Sequence, residues 1–111
     1  MKNLLFKAFA DPTRLRLLGL LSGREVCVCD LMAVLGEPQS KVSQHLAFLR
    51  SAGLVVSRRE GKWRHYALAK ASGRVHARLV GCLGDCFAEI EQLKRDQSKL
   101  GKILLAKEKC S

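Results

Sequence analysis

Two cysteines, Cys27 and Cys29, stand two residues apart at the start of an apolar run that ends at Leu35. Inside a regular helix that spacing turns two side chains to different sides. At a helix start the restriction relaxes, because a capping residue has non-helical dihedrals and its side chain folds over the amides two and three positions on. Two sulfurs can then share one ion, with some unwinding of the first turn. The positive end of the helix dipole favours thiolate over thiol there. Bare thiolates, with no histidine or paired carboxylates beside them in the sequence, select soft, thiophilic ions. The competing reading is two small, half-buried residues without chemistry. Cys82 and Cys86 are a second candidate pair, since an i, i+4 spacing places both sulfurs on one helix face. They also lie on an apolar stripe, where cysteine behaves as a small hydrophobe, so packing at a dimer contact is the favoured reading for them. Cys110, near the end of the sequence, could add a third thiolate in one state and nothing in another, and is left out of the expected site.

The elements that must position these thiols follow from caps and periodicity. Leu4, Leu5, Ala8 and Phe9 mark a short amphipathic helix over 2–10. Asp11 caps and Pro12 opens a second helix to about Leu21, ended by Ser22-Gly23. The third helix starts near Cys27 at the cap, with Asp30 three residues on as in a capping box, and buries Leu31, Val34 and Leu35. Gly36-Glu37-Pro38 is a turn. The fourth helix, Gln39 to about Ser51, buries Val42, Leu46 and Leu49. Gly53 stops it. Leu54 to Glu60 and Trp63 to Leu68 are strand-like and joined by Gly61-Lys62, a pair suited to a two-residue hairpin. A long helix from Ser72 to about Arg95 keeps Val75, Leu79, Cys82, Cys86, Ile90 and Leu93 on one face, and such a spare stripe most simply seeks its own copy. The expected domain is 1–95, followed by a frayed, flexible basic tail over 96–111, with Ile103 to Leu105 able to extend the helix.

The third and fourth helices around their turn have the pattern of a DNA-reading helix-turn-helix, and the hairpin after them is a basic wing. The fold class is therefore mainly α with a β-hairpin wing, a winged helix-turn-helix. The bulk numbers agree. The 111 residues suit one domain, and 48% apolar with 5% aromatic residues suits a helical core of Leu, Val and Ala. Twenty Lys and Arg against ten Asp and Glu leave a net charge of +10, which attracts polyanions. Gln39, Ser40, Ser43 and Gln44 are candidates for reading base edges. Lys41, Arg50, Arg58, Arg59, Lys62 and Arg64 are candidates for holding phosphates, which adds affinity and salt dependence but no sequence reading. His45 lies beside the buried Leu46 and is expected to be packed and hydrogen-bonded, neither ligand nor base reader.

Four stretches carry a family resemblance: Phe9 to Leu18, Val26 to Met32, Ser43 to Val55, and Arg58 to Tyr66. In this order they resemble the arsenical-resistance repressor family (ArsR/SmtB), small winged-helix metal sensors of bacteria, from about Leu4 to about Leu93. The resemblance implies four helices, a β-hairpin and a final helix, a homodimer formed through the first and last helices, and release of double-stranded operator DNA when metal binds. It also implies trivalent arsenic or antimony as the inducer, held by Cys27 and Cys29, because this cysteine pair marks the arsenic-sensing branch. One departure matters. The place of a third cysteine in the fullest motif, one turn after Cys29, holds Met32, a poorer ligand. Either two cysteines suffice, with a small thiol or hydroxide completing the ion, or a third sulfur comes from elsewhere. The divalent-metal branch uses Asp and His pairs across the last helix, where His76 is here the one histidine, so a zinc site of that type is not expected.

Other classes fare less well. A thiol-based redox or sulfur-responsive repressor and a non-specific architectural DNA binder remain as alternatives. A thiol enzyme lacks any Cys-x-x-Cys, phosphate loop or organic cofactor motif, so neither catalysis nor a small-molecule substrate is expected. The N-terminal apolar piece, broken by Lys7 and halted by Asp11-Pro12, is no secretory signal, and no later apolar run is long enough for a membrane. Five cysteines without a disulfide spacing read as reduced cytoplasmic thiols.

Overall fold

The computed structural model describes residues 4–86 and 90–110, and within them the side chains of all but 84–86 and 108–110. In chain order the elements are α1 (Leu4–Ala10), α2 (Pro12–Leu20), β1 (Val26–Cys27), α3 (Val28–Leu35), α4 (Gln39–Ser51), β2 (Val55–Glu60), β3 (Trp63–Leu68), α5 (Arg74–Cys86) and α6 (Glu91–Cys110). This is the expected mainly helical, winged helix-turn-helix architecture.

Local chemistry sets most of the boundaries. The Asp11 side chain accepts from the Arg14 N–H at 3.0 Å, capping α2 ahead of Pro12. Gly36 ends α3 in the left-handed region at φ 67°, where a side chain would be strained, and its N–H donates to Met32 O. Pro38, at the cap position of α4, makes no side-chain capping bond. Gly61, at φ 62°, opens the two-residue loop between β2 and β3, which pair from Glu60 opposite Trp63 to Val55 opposite Leu68.

One core runs through the helix-turn-helix. Leu17, Leu18, Leu20, Leu31, Leu46, Leu49, Leu54 and Val42 are fully buried, with Val26, Val34 and Tyr66 beside them. Each α3 or α4 residue in that set comes from the i, i+3/i+4 stripe the sequence marks.

Three features depart from the sequence expectations. The first is β1. It is two residues long, pairs antiparallel with β3 (Val26 opposite Tyr66, Cys27 opposite His65), and makes the sheet three-stranded in the order β1-β3-β2. The second is that the single helix expected over 72–95 is two, with α5 ending at Cys86 and α6 starting at Glu91. The third is that α6 runs through residue 95, where the domain was expected to end. The extension that Ile103 to Leu105 allow is formed: residues 96–110 are helical and pack over α2 and α3.

Polar contacts hold α6 there. Asp96, 3% exposed, takes both Arg16 Nε and Nη2 at 2.9 Å and also Gln92 Nε2 at 2.9 Å. Gln97 Nε2 donates to Gly19 O at 2.6 Å, and Lys99 Nζ to Val34 O at 3.3 Å. Leu93 and Leu100 are buried. One side of α6 is thus packed within the chain, while Leu105 on it stays exposed. Among the described side chains of α5, His76 and Leu83 are buried, while Val75 (43% exposed) and Cys82 remain on the surface; Phe6 of α1 is 49% exposed.

Candidate metal centre and nucleic-acid interface

The thiol pair sits where β1 gives way to α3. Cys27 is the N-cap of α3, with extended dihedrals (φ −68°, ψ 142°), and its Sγ accepts the Cys29 N–H at 3.4 Å. The cap geometry that the sequence implies is therefore formed. The Cys29 thiol donates to Cys27 Sγ across 2.8 Å, so the pair meets with the first turn still helical; the expected unwinding is not needed to bring the sulfurs together. Cys27 is buried and Cys29 half-buried.

Asp30 does not close a capping box. It is buried and turns to the end of α6, where Lys107 Nζ lies 2.7 Å from its Oδ1 and 3.6 Å from Cys29 Sγ. Sequence reading gives no hint of Lys107 at this site, because the contact spans 78 positions.

The electrostatics also differ from the expectation of a favoured thiolate. Burial pushes the Cys29 thiol above its ordinary value, followed by its hydrogen bond with Cys27 and the charge of Asp30; the Lys107 ammonium pulls the other way. Desolvation, the bond to Cys27 and a neighbouring carboxylate together favour thiol over thiolate at Cys29. The Cys29 thiol is held toward its protonated form, and a soft ion must displace that proton as it binds. Among the described residues no group of three or more His, Cys, Asp or Glu is placed to hold a metal. Met32 packs against the core. Cys82 is exposed on α5 beside Phe9, Leu15 and Leu79, and Cys86 ends that helix with its side chain outside the described residues.

The second surface is the face of α4 and the wing. Gln39, Ser40, Lys41, Gln44 and Arg50 are exposed on α4 and Ser43 is half-buried. Gln39 and Ser43 line a cleft with Arg59, Lys62, Trp63 and Arg64 of the wing, so the helix start and the hairpin tip share one basic, polar surface. Trp63, 45% exposed, was not singled out by the sequence. Arg58 is less available than its neighbours. Its guanidinium bonds Glu25 at 2.6–3.0 Å and Glu60 at 2.7 Å, raising its own pKa and holding both carboxyls below their usual range. Lys41 reaches Glu37 at 3.4 Å, an exposed and weak pair. His45 is packed as expected: its Nδ1 accepts from Arg14 Nε at 3.3 Å, and Arg14 lies over the Phe48 ring at 3.7 Å.

Comparison with known proteins bears on both surfaces. The family described as "Bacterial regulatory protein, arsR family" matches residues 11–57, from the α2 cap into β2. The arsenical resistance operon repressor of Escherichia coli K12 is 40% identical over 110 residues, covering 96% of this chain and 86% of that protein. This chain belongs to the ArsR family. The arsenic resistance transcriptional regulator ArsR2 of Pseudomonas putida is 47% identical over 64 residues, 57% of this chain and 56% of that protein. Among solved structures, HlyU from Vibrio cholerae superposes with a TM-score of 0.67 at 34% identity, over 77% of this chain and 89% of that one. As an ArsR-family protein the chain is a DNA-binding transcriptional repressor and not an enzyme. Among the described residues no helix is long and apolar enough to cross a membrane.

Proposed function

We propose that this ArsR-family protein represses a metalloid-resistance operon from the cytoplasm and lets go of its operator when trivalent arsenic or antimony binds Cys27 and Cys29. The observation that carries the reading is the 2.8 Å approach of the two sulfurs at the start of the scaffold helix α3. Bare sulfur donors select a soft ion, and the E. coli relative is named for arsenical resistance. Cys27 also pairs with His65 in β3. An ion that pulls the two sulfurs into its own geometry therefore works against both the α3 cap and the root of the wing, and so against the surface that α4 and the wing offer to DNA.

The repressor acts as a dimer, with two α4 helices entering successive major grooves about 34 Å apart. Its contact is formed by α1 and the exposed stripe of α5, around an apolar groove lined by Phe9, Leu15, Leu79, Cys82, Leu83 and Ile90. Gln39, Ser40, Ser43 and Gln44 read bases, while Lys41, Arg50, Arg59, Lys62 and Arg64 hold phosphates; Arg58 contributes through the charge it keeps beside Glu25 and Glu60.

The ion must bind the DNA-free form more tightly; a coupling of about 3 kcal/mol weakens operator affinity roughly 150-fold. The test is operator binding of wild type and of Cys27→Ser/Cys29→Ser, titrated with arsenite, antimonite, cadmium and zinc. The double variant should bind operator normally and ignore arsenite. A double variant that still releases DNA with arsenite refutes the assignment of the site.

A further inference from the structure

The thiol pair shares the start of α3 with a carboxylate. Asp30, in the first turn of that helix, is 4% exposed, and a buried carboxylate is unfavourable unless a cation or hydrogen bonds meet it. Lys107 of α6 is such a cation. Its ammonium lies 2.7 Å from Asp30 Oδ1 and 3.6 Å from Cys29 Sγ, so one group touches both the carboxylate and a candidate sulfur ligand. Neither Asp30 nor Lys107 takes part in the proposed release of DNA.

The two classes of thiophilic guest need different donors at this place. Arsenous acid condenses with two thiols. Two S–H and two As–O bonds break, two As–S bonds form, each thiol proton leaves with a hydroxide as water, and one hydroxide stays on arsenic. Arsenic remains trivalent, no electrons are transferred, and the product is uncharged with its three bonds filled. Cadmium or zinc instead sends the two thiol protons to solvent and holds two thiolates, which leaves a divalent ion short of its usual four donors. A carboxylate beside the sulfurs is what such an ion recruits, since carboxylate oxygen is an ordinary zinc ligand. Here that carboxylate is already paired. With Asp30 turned to Lys107, the described residues offer no group of three His, Cys, Asp or Glu placed to hold a metal.

We infer that Lys107 sets the selectivity of the thiol site: by pairing with Asp30 it keeps the site a bare dithiol, open to the neutral metalloid and poor in donors for divalent cations. The inference rests on the proposed role of Cys27 and Cys29. The ion pair carries no net charge, and removing the ammonium leaves one negative charge uncompensated. A carboxylate about 5 Å from a dication favours binding roughly tenfold even at the dielectric of bulk water, and more if it reaches the ion. The uncharged arsenic product gains nothing comparable.

The test measures dissociation constants for arsenite, cadmium chloride and zinc chloride on the full-length reduced protein, by calorimetry and, for cadmium, by sulfur-to-metal charge-transfer absorbance. Lys107→Met should bind cadmium and zinc at least about tenfold more tightly, with arsenite affinity within about threefold of wild type. Lys107→Arg, which keeps the ion pair, should behave as wild type. Asp30→Asn in the Lys107→Met background should return both divalent affinities to the wild-type level, because neither charge remains. Impaired folding would weaken all three guests and cannot produce a gain confined to two. Cadmium affinity that is unchanged or weaker in Lys107→Met, an equal gain for arsenite, or a gain that survives Asp30→Asn overturns the inference while leaving the dithiol site standing. Arsenite affinity unchanged in Cys27→Ser/Cys29→Ser would instead overturn the underlying site.

Discussion

Removing the Asp96 carboxylate should loosen the wall of the thiol site from a distance. Asp96 is 3% exposed and accepts three bonds at 2.9 Å, two from the Arg16 guanidinium and one from Gln92. Breaking a buried ion pair by deleting one partner costs about 3–5 kcal/mol. Arg16 keeps 26% of its side chain in solvent, so its charge recovers part of its hydration when left alone. The cost of Asp96→Ala then falls to about 2–3 kcal/mol. At roughly 4 °C per kcal/mol for a domain of this size, the thermal midpoint drops by roughly 8–12 °C. Urea unfolding followed by circular dichroism measures the loss directly, and a cycle with Arg16→Ala isolates the pair, which should couple by about 1–2 kcal/mol. If Asp96→Ala costs less than about 0.5 kcal/mol, the size of an ordinary surface change, or if the two substitutions add, α6 is not clasped to α2 in the way described.

Two further outcomes follow from the site geometry. In the salt dependence of operator binding, Arg59→Ala, Lys62→Ala and Arg64→Ala should each lower the slope of log K against log salt by about 0.9 if each holds one phosphate, whereas Arg58→Ala, already matched by Glu25 and Glu60, should change it by less; equal losses at all four positions would remove the distinction. Alkylation of Cys29 by iodoacetamide should be slower at neutral pH than that of a free thiol and should rise with a midpoint above the usual value of about 8.5, because burial raises its pKa; Lys107→Met should move that midpoint higher still, since the ammonium is the group that lowers it. A midpoint below the free-thiol value would show that the helix dipole dominates after all.

What could be read from the sequence was what local chemistry writes. Asp11-Pro12, the Cys27 cap, Gly36 and Gly61 each fix a boundary through their own dihedrals or side-chain bonds, and the structure forms all of them. The thiol pair and the exposed face of α4 follow from the same spacing rules. The unread part is long-range. β1 is too short for any periodicity and exists because β3 offers it partners. The inward stripe of α6 was hidden because two of its positions, Asp96 and Lys107, are charged, and charged residues at stripe positions read as surface. Asp96 is buried, and the half-exposed Lys107 reaches the thiol site, only because Arg16 and Asp30, from distant parts of the chain, meet them. The same blindness put the Cys29 thiol on the wrong side of its ordinary value, since neither its burial nor the orientation of Asp30 is visible along the chain.

Cys27 is at once a strand residue and a helix cap, so it has few ways to move alone. A strain applied at that one sulfur cannot be absorbed by a flexible linker, because no linker separates it from either DNA-contacting part. Such a hinge point suits a sensor that must respond to a single atom: the signal has almost no distance to travel.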